Sequence, residues 1–428
     1  MRKSIVIAAV LCAFCLAGLF VYRSRPKVTA KPDDPVSTVS TLNNRNNATV
    51  LSANSRTSGS STDNSRSMVS YTQPAGVLGE SVAREVEAAI DRALDWLAAT
   101  QRDDGSWSNN KFPALTALAM QSFIHSAHPE RDHVIAKAVK FILSCRKDNG
   151  GIYVDVEGRK GGGLSNYNTA ICMTALHETG DKSLTPVVLK AREFIAGSQL
   201  LGGDIYDGGF GYDRITKRPY TDGLNTFYAV QAMALTAGAE DSRPSGQQRV
   251  DIDWDRTLKF LASIQNDDKA GADSAGGFFY KPGESKAGAF TNDAGAVVFR
   301  SYGSMTYVGL LALVYADVPR NDGRVLSAFH WAAKHWTLEE NPGMGQEGVY
   351  FFYNVLSKAL DVYGQDLIPR QKNTFVDWHK ELAQKLITLQ KIDPTYGNGY
   401  WTNPSSRFWE GDPVLVTAYS IMALQKTL

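Results

Sequence analysis

Gln101-Arg102-Asp103-Asp104-Gly105-Ser106-Trp107 closes one amphipathic stretch with helical spacing, and a second, more apolar stretch opens just beyond it at Pro113. The same order of helix, glutamine, glycine with an aromatic residue, and helix returns five more times before Leu428. A single pair of such helices cannot cover its own apolar face, so the recurrence implies pairs stacked side by side around a shared core.

The copies can be read directly from the chain. The first pairs its turn with Leu115 to Ile124. The second runs from Phe141-Ile142-Leu143-Ser144-Cys145, with Cys145 in place of glutamine, through Gly150, Gly151 and Tyr153 to Asn168–Leu176. The third ends its first helix at Gln199, turns through Asp207 to Asp213, and resumes at Asn225. The fourth places Gln265 before Gly276 to Tyr280, then carries a long insertion before Met305. The fifth departs most, with Trp336 at the helix end, a turn over Asn341 to Gly348, and a second helix from Tyr350 to Leu360. The sixth restores Gln390, Gly397 to Trp401, and Val416 to Leu424. In five copies a threonine (Thr116, Thr169, Thr226, Thr306, Thr417) stands seven residues before an apolar residue, two helical turns away on the same face. Tyr353 holds that place in the fifth. These threonine-bearing segments are therefore expected to be the inward set of helices.

Charge and cysteine content narrow the function classes. The chain has 428 residues, and 45 lysines and arginines against 44 acidic residues leave a net charge of +1, which offers no nucleic-acid footprint. Four cysteines are too few for a disulfide framework. Cys12 and Cys15 sit in the apolar head; Cys145 and Cys172 fall on helices, and a bridge between them is left open.

Residues 1–27 read as a signal anchor or signal peptide. Arg2 and Lys3 precede an apolar run from about Ile5 to Tyr22, and Arg23, Arg25 and Lys27 follow it. The run approaches the roughly 20 residues needed to cross a bilayer and exceeds the usual core of a cleaved signal. A single-pass anchor with the remainder outside the cytoplasmic membrane is the expectation; secretion after cleavage behind Ala17 is the alternative. Residues 28–78, rich in Ser, Thr, Asn and Pro, cannot offset their ordering entropy by burial and read as a disordered linker. Residues 79–428 carry the repeats.

The Gln101–Trp107 stretch, its echoes at Gln199, Gln265 and Gln390, and the paired helices resemble the prenyltransferase and squalene-oxidase repeat of the terpenoid cyclase and protein prenyltransferase superfamily. The similarity covers most of Val82 to Leu428. It implies an all-α fold, an α/α toroid of about six helical hairpins with inner and outer rings. It also implies that Gln101, Gly105 and Trp107 are structural, with the glutamine and the aromatic residue tying an outer helix end to the start of the inner one. The catalytic signatures that the superfamily carries are missing. No Asp-x-Asp-Asp run occurs: Asp251-Ile252-Asp253-Trp254-Asp255 and Asn266-Asp267-Asp268 fall at the ends of outer helices, where capping explains them. Ala170 stands where a zinc site would need an aspartate two residues before Cys172, and Gly343-Met344-Gly345-Gln346-Glu347 lacks the cysteine of a thioester. No metal or other cofactor is expected, and the carboxylates of Asp204 to Asp213 lack calcium-loop spacing.

Acidic residues near the inner helix starts are the candidate catalytic groups: Asp222, Glu347 and Asp412, with Glu410 beside the last. A desolvated carboxyl there has the means to protonate an alkene or a glycosidic oxygen. Capping is the competing account for Asp222 and for Asp412, which Pro413 follows. Aromatics at the same level (Tyr167, Phe227, Tyr228, Tyr302, Tyr307, Tyr350, Phe352 and Tyr419) are candidates to line a cavity, by stabilising cations or holding an isoprenoid. The reading that best fits the missing motifs is a non-enzymatic envelope protein that binds a lipid, a peptide or another protein. A terpenoid-cyclase-like enzyme is the alternative. A polysaccharide lyase or hydrolase, with Asp222, Asp412, Arg300 and Arg407 as its groups, is a third.

Overall fold

The computed structural model describes residues 76–156, 163–213 and 220–428. The expected anchor and nearly all of the linker lie outside the described residues. Within them, no helix is long and apolar enough to cross a membrane.

Among the described residues, twelve α-helices form six hairpins: α1 (Glu80–Thr100) with α2 (Pro113–Ile124), α3 (Arg131–Ser144) with α4 (Ser165–Glu178), α5 (Thr185–Ala196) with α6 (Gly223–Leu235), α7 (Trp254–Ser263) with α8 (Gly303–Tyr315), α9 (Gly323–Lys334) with α10 (Val349–Tyr363), and α11 (Trp378–Leu389) with α12 (Pro413–Leu424). The second helices pack in a closed cycle: α2 on α4, α4 on α6, α6 on α8, α8 on α10, α10 on α12, and α12 back on α2. Burial separates the two sets. Every residue of α2 is buried, as is α8 from Gly303 to Leu313, whereas α7 buries only Thr257, Phe260 and Leu261. A helix apolar all round is wrapped by others, and one with a single apolar stripe faces water.

The threonines hold the rings together. Thr116 Oγ1 accepts from the Trp107 backbone N–H at 3.2 Å, Thr169 from Ile152 at 2.9 Å, Thr226 from Phe210 at 3.0 Å, Thr306 from Phe278 at 3.1 Å and Thr417 from Trp401 at 3.0 Å. Each bond fastens an inner helix to its own turn, at the aromatic residue in four copies and at Ile152, next to Tyr153, in the second. In the drifted fifth copy the polarity reverses: Tyr353 donates its hydroxyl to the Leu338 carbonyl at 2.6 Å.

The glutamines act differently from the role the resemblance implies. Gln101 donates to the Gly105 carbonyl at 3.1 Å and to Val134 of α3 at 3.0 Å. Gln199 reaches Asp253 at the start of α7, Gln265 reaches Arg324 of α9, and Gln390 reaches Ala89 of α1. Each glutamine thus ties its outer helix to the next outer helix, because a backbone carbonyl there lies within reach of the amide, near the helix start in α3, α7 and α9 and mid-helix, at Ala89, in α1. Trp336, which replaces glutamine in the fifth copy, makes the equivalent link by donating to Glu381 of α11 at 3.0 Å. The tryptophans turn back on their own helix, Trp107 to the Leu97 carbonyl and Trp401 to Leu386. Gly105 is required at its place: its φ is +87°, and a Cβ there would lie 2.2 Å from the Lys137 carbonyl oxygen of α3.

The body is not wholly helical. Three short antiparallel hairpins, β1 (Ala289–Thr291) with β2 (Val297–Phe299), β3 (Leu367–Pro369) with β4 (Phe375–Asp377), and β5 (Lys391–Ile392) with β6 (Gly399–Tyr400), lie in the connections between helices. Cys145 and Cys172 are both buried and free, so the bridge left open by the sequence is not formed.

Candidate functional site

The rim at the starts of the inner helices is bound into a circle. The first free backbone N–H groups of a buried helix need acceptors, and here the segment leading into the next inner helix supplies most of them. Ala114 of α2 donates to Asn168 Oδ1 at 2.9 Å, and Ser165 of α4 to Asp213 Oδ1 at 2.7 Å. Gly223 of α6 donates to the Tyr280 carbonyl at 2.8 Å, and Ser304 of α8 to Asn341 Oδ1 at 2.9 Å. Phe351 and Tyr350 of α10 donate to the Glu410 carboxylate at 2.7 and 3.3 Å. Ser108, ahead of α2, hydrogen-bonds Asp412 at the start of α12 and completes the circuit. Six positive helix ends lie along this rim, which is why acidic residues collect here.

Asp222 caps its own helix. It is fully buried, Oδ1 accepts from the Asn225 N–H at 2.9 Å, and Oδ2 accepts from Asn225 Nδ2 at 2.8 Å. Desolvation by burial pushes its carboxyl up to about 6, against hydrogen bonds from Asn225 and Tyr280 that pull it down. Asp412 caps α12, accepting from Val414 N–H at 2.9 Å. Glu347 lies in a half-exposed ion pair with Arg407. Glu410, which sequence reasoning set beside Asp412 without choosing it, is the other deeply buried acid of this rim. Burial pushes it up to about 7, although Phe351, Asn403 and Tyr350 all donate to it. Of the two arginines named with a hydrolase reading, Arg300 stacks over the Phe290 ring at 4.7 Å and Arg407 over Phe408 at 4.7 Å.

The aromatic candidates divide by position along their helices. Tyr167 and Tyr228, edge to face at 5.3 Å, and Tyr419, 6.1 Å from Phe351, stand two residues from the fastening threonine, on the side of the helix turned to the ring axis. Tyr307 and Phe352 meet at 5.8 Å in the seam between α8 and α10, and Phe227 lies 6.4 Å from Tyr315 between α6 and α8. Tyr350 turns its ring edge to Tyr353 at 5.7 Å. Tyr302 borders a pocket.

That pocket has a cavity of about 30 Å³, lined by Leu224, Tyr280, Tyr302, Met305, Phe351 and Phe408, with Lys286 at its edge. Both deeply buried acids adjoin it: Tyr280 hydrogen-bonds Asp222, and Phe351 donates its N–H to Glu410. The Lys286 ammonium lies 4.2 Å from the Tyr280 ring centre. Phe408 and Trp409 both hold positive φ, +61° and +66°, a conformation that costs an L-residue free energy and tends to gather at working sites. Such a volume admits about one water molecule.

A second polar assembly occupies the opposite end of the inner ring. Gln121 donates to Glu178 Oε2 at 2.6 Å, and Lys426 pairs with Asp361 at 3.1 Å. Burial pushes Glu178 up to about 7, moderated by Gln121 and by the charges of Lys358 and Lys426. Sequence reasoning missed these residues. The signal was present as Gln121, Gln231 and Lys358, polar residues inside helices otherwise buried all round.

No family model matches the sequence. Among solved structures, the chain is similar to a variant of the type II terpene cyclase MstE from Scytonema, in complex with merosterolic acid A, its product. The two share 12% identity at a TM-score of 0.50, over 82% of this chain and 99% of that one. A D-mannose isomerase is equally similar, at 12% identity and a TM-score of 0.50, over 82% of this chain and all of that one. One architecture thus carries a cyclase and a sugar isomerase, and such a likeness speaks to fold and not to chemistry. The described domain of this chain, residues 76 onward, has the terpenoid-cyclase-like toroid fold.

Proposed function

We propose that this chain is a membrane-anchored, extracytoplasmic binding toroid that holds the end of an apolar ligand, a lipid chain, at the rim where the inner helices start. One observation carries the reading: the two buried carboxyls beside the apolar pocket are already engaged by helix N–H and amide donors. Asp222 is held by Asn225, and Glu410 by Tyr350, Phe351 and Asn403. A proton on either acid has to take an oxygen that these donors use, so the caps oppose the burial that favours the neutral form. The same atoms that a proton donor would use are serving as caps. A cavity of about 30 Å³ suits the tip of an aliphatic chain and has no room for an isoprenoid to fold into rings. The apolar run of residues 5–22 supplies the anchor, and the polar linker sets the toroid near the lipid surface.

The second reading, a terpenoid-cyclase-like enzyme with a carboxylic acid as proton donor, is favoured by the raised ionisation of Asp222, about 6, and Glu410, about 7, next to aromatic rings. One experiment separates the two. The full-length chain, purified in detergent, is incubated with a membrane lipid extract supplemented with squalene, and the retained and converted molecules are identified by mass spectrometry. Retention of a lipid without turnover, lost on Phe351→Asp substitution, is the expected result. Turnover that disappears in Asp222→Asn or Glu410→Gln would replace the binding reading with the enzymatic one, and neither retention nor turnover would defeat both.

A further inference from the structure

The end of the ring opposite the pocket is built as a polar socket. On each inner helix the residues five and nine positions after the fastening threonine fall about 140° and 180° from it, on the side turned to the axis. At the five-residue level stand Gln121, Gln231 and Lys358, which are 0%, 1% and 2% exposed. At the nine-residue level stand Glu178, Tyr315 and Lys426, all half-buried. The contacts agree with convergence: Gln121 of α2 bonds Glu178 of α4, Gln231 of α6 reaches the Tyr315 hydroxyl of α8 at 3.4 Å, and the charges of Lys358 and Lys426 act on Glu178 across the ring. One turn deeper the axis becomes largely apolar, with Leu118, Ile171, Val308 and Val355. The socket therefore has a buried polar floor and a half-open rim.

A lysine with 2% exposure is costly to keep in a helix core unless its charge is used. Glu178 offers one oxygen to Gln121, while its other, Oε1, has no exposed surface and no hydrogen-bond partner. An acceptor is thus left open where the charges of Lys358 and of Lys426, the latter paired with Asp361 at 3.1 Å, act on Glu178. We propose that the socket binds a small zwitterion bearing a primary ammonium and an acidic group a few bonds apart. The ammonium meets Glu178 Oε1, the acidic group lies against Lys358 and Lys426, and Gln231 with Tyr315 supplies further hydrogen bonds. This site is separate from the lipid pocket and stands or falls independently of it.

A free amino acid and the headgroup of an aminophospholipid share that chemistry, so calorimetry on the full-length protein in detergent uses L-alanine and phosphoethanolamine in separate arms, with ethanolamine alone as the control. Saturable binding of either zwitterion is expected, weakened at least tenfold by Glu178→Gln and by Lys358→Met. L-alanine binding identifies a free amino acid as the source, and phosphoethanolamine binding a headgroup. Melting temperatures are recorded in parallel, and Glu178→Gln, nearly isosteric, is expected to keep the fold even should Lys358→Met not. Absence of heat in both arms, equal binding of ethanolamine, or binding indifferent to Glu178→Gln in a folded protein overturns the proposal.

Discussion

At the scale of single residues, stability concentrates where a buried group has a compulsory partner. Arg192 is 1% exposed and donates to Glu240 at 2.8 Å, to the Met233 carbonyl and the Thr236 hydroxyl at 2.7 Å each, and to the Val250 carbonyl at 2.8 Å. Replacing it with methionine removes one of the two guanidinium partners of Glu240, which Arg243 still holds, and strips the donor from two carbonyls, at about 1–3 kcal/mol for each group left unsatisfied; urea unfolding of Arg192→Met against the parent measures it. Glu240 itself supplies a pH dependence. Desolvation raises its carboxyl, but hydrogen bonds from Arg243 and Arg192 outweigh that and hold it at about 2, below its ordinary 4.5. A depressed acid contributes stability above its unfolded value and loses it as pH falls, so the unfolding midpoint should drop between pH 4.5 and 2, by an amount on the order of 3 kcal/mol. Glu410 works in the opposite sense. Burial raises it to about 7, so the native state holds a proton that the unfolded chain releases above 4.5. Its contribution is complete below pH 4.5 and is lost as pH rises through 7. Thermal midpoints measured from pH 5 to 8 should fall, and Glu410→Gln should flatten that slope.

At the scale of elements, the recurring threonine is the fastening between each inner helix and the turn before it. Thr226→Val keeps the shape and removes the acceptor from the Phe210 N–H, leaving a buried donor unsatisfied at about 1–3 kcal/mol. A melting curve within error of the parent would show that water replaces the hydroxyl. This spacing was legible because it repeats: Thr116, Thr169, Thr226, Thr306 and Thr417 all lie on the inner helices, as their shared face implied, whereas the bond each makes to its turn shows only in the fold. The direction of the glutamine link was not legible. Nothing along the chain says that the Gln101 amide crosses to Val134, 33 residues on, because that depends on how neighbouring hairpins stagger. The site was only half legible for the same reason. Capping could be read at Asp222 and Asp412 from the helix that follows each, whereas Glu410 caps α10, a helix 59 residues before it, and no local pattern reports that. Lys358 carried a usable sign, a charge inside a mostly apolar helix, but Glu178, on which its charge acts, sits on another helix.

At the scale of the whole molecule, closure distinguishes this chain from an open stack of the same hairpins. In an open array each repeat touches only its neighbours, so trimming the last one costs one interface and leaves the remainder folded. Here α12 packs on both α10 and α2, and α1 packs on α11 and α12. Gln390 donates to Ala89 of α1 at 2.7 Å and accepts from Arg92 at 2.7 Å, joining the last outer helix to the first. Ser122 donates to the Ala418 carbonyl, and Gln425 to Ser122, across the same seam. Ending the chain after Asp377 removes α11 and α12 and uncovers α2 and α10, two helices buried along nearly their whole length. Helices of that kind, once exposed, form a large apolar patch that associates. The truncated protein is therefore expected to lose its cooperative thermal transition and to elute as aggregates in size-exclusion chromatography. Gln390→Ala, which opens only the outer seam, should keep a single transition at a lower midpoint. A monomeric truncated protein melting in one sharp step would mean that the hairpins stand as an open stack, and that closing the ring adds little to what neighbouring pairs already supply.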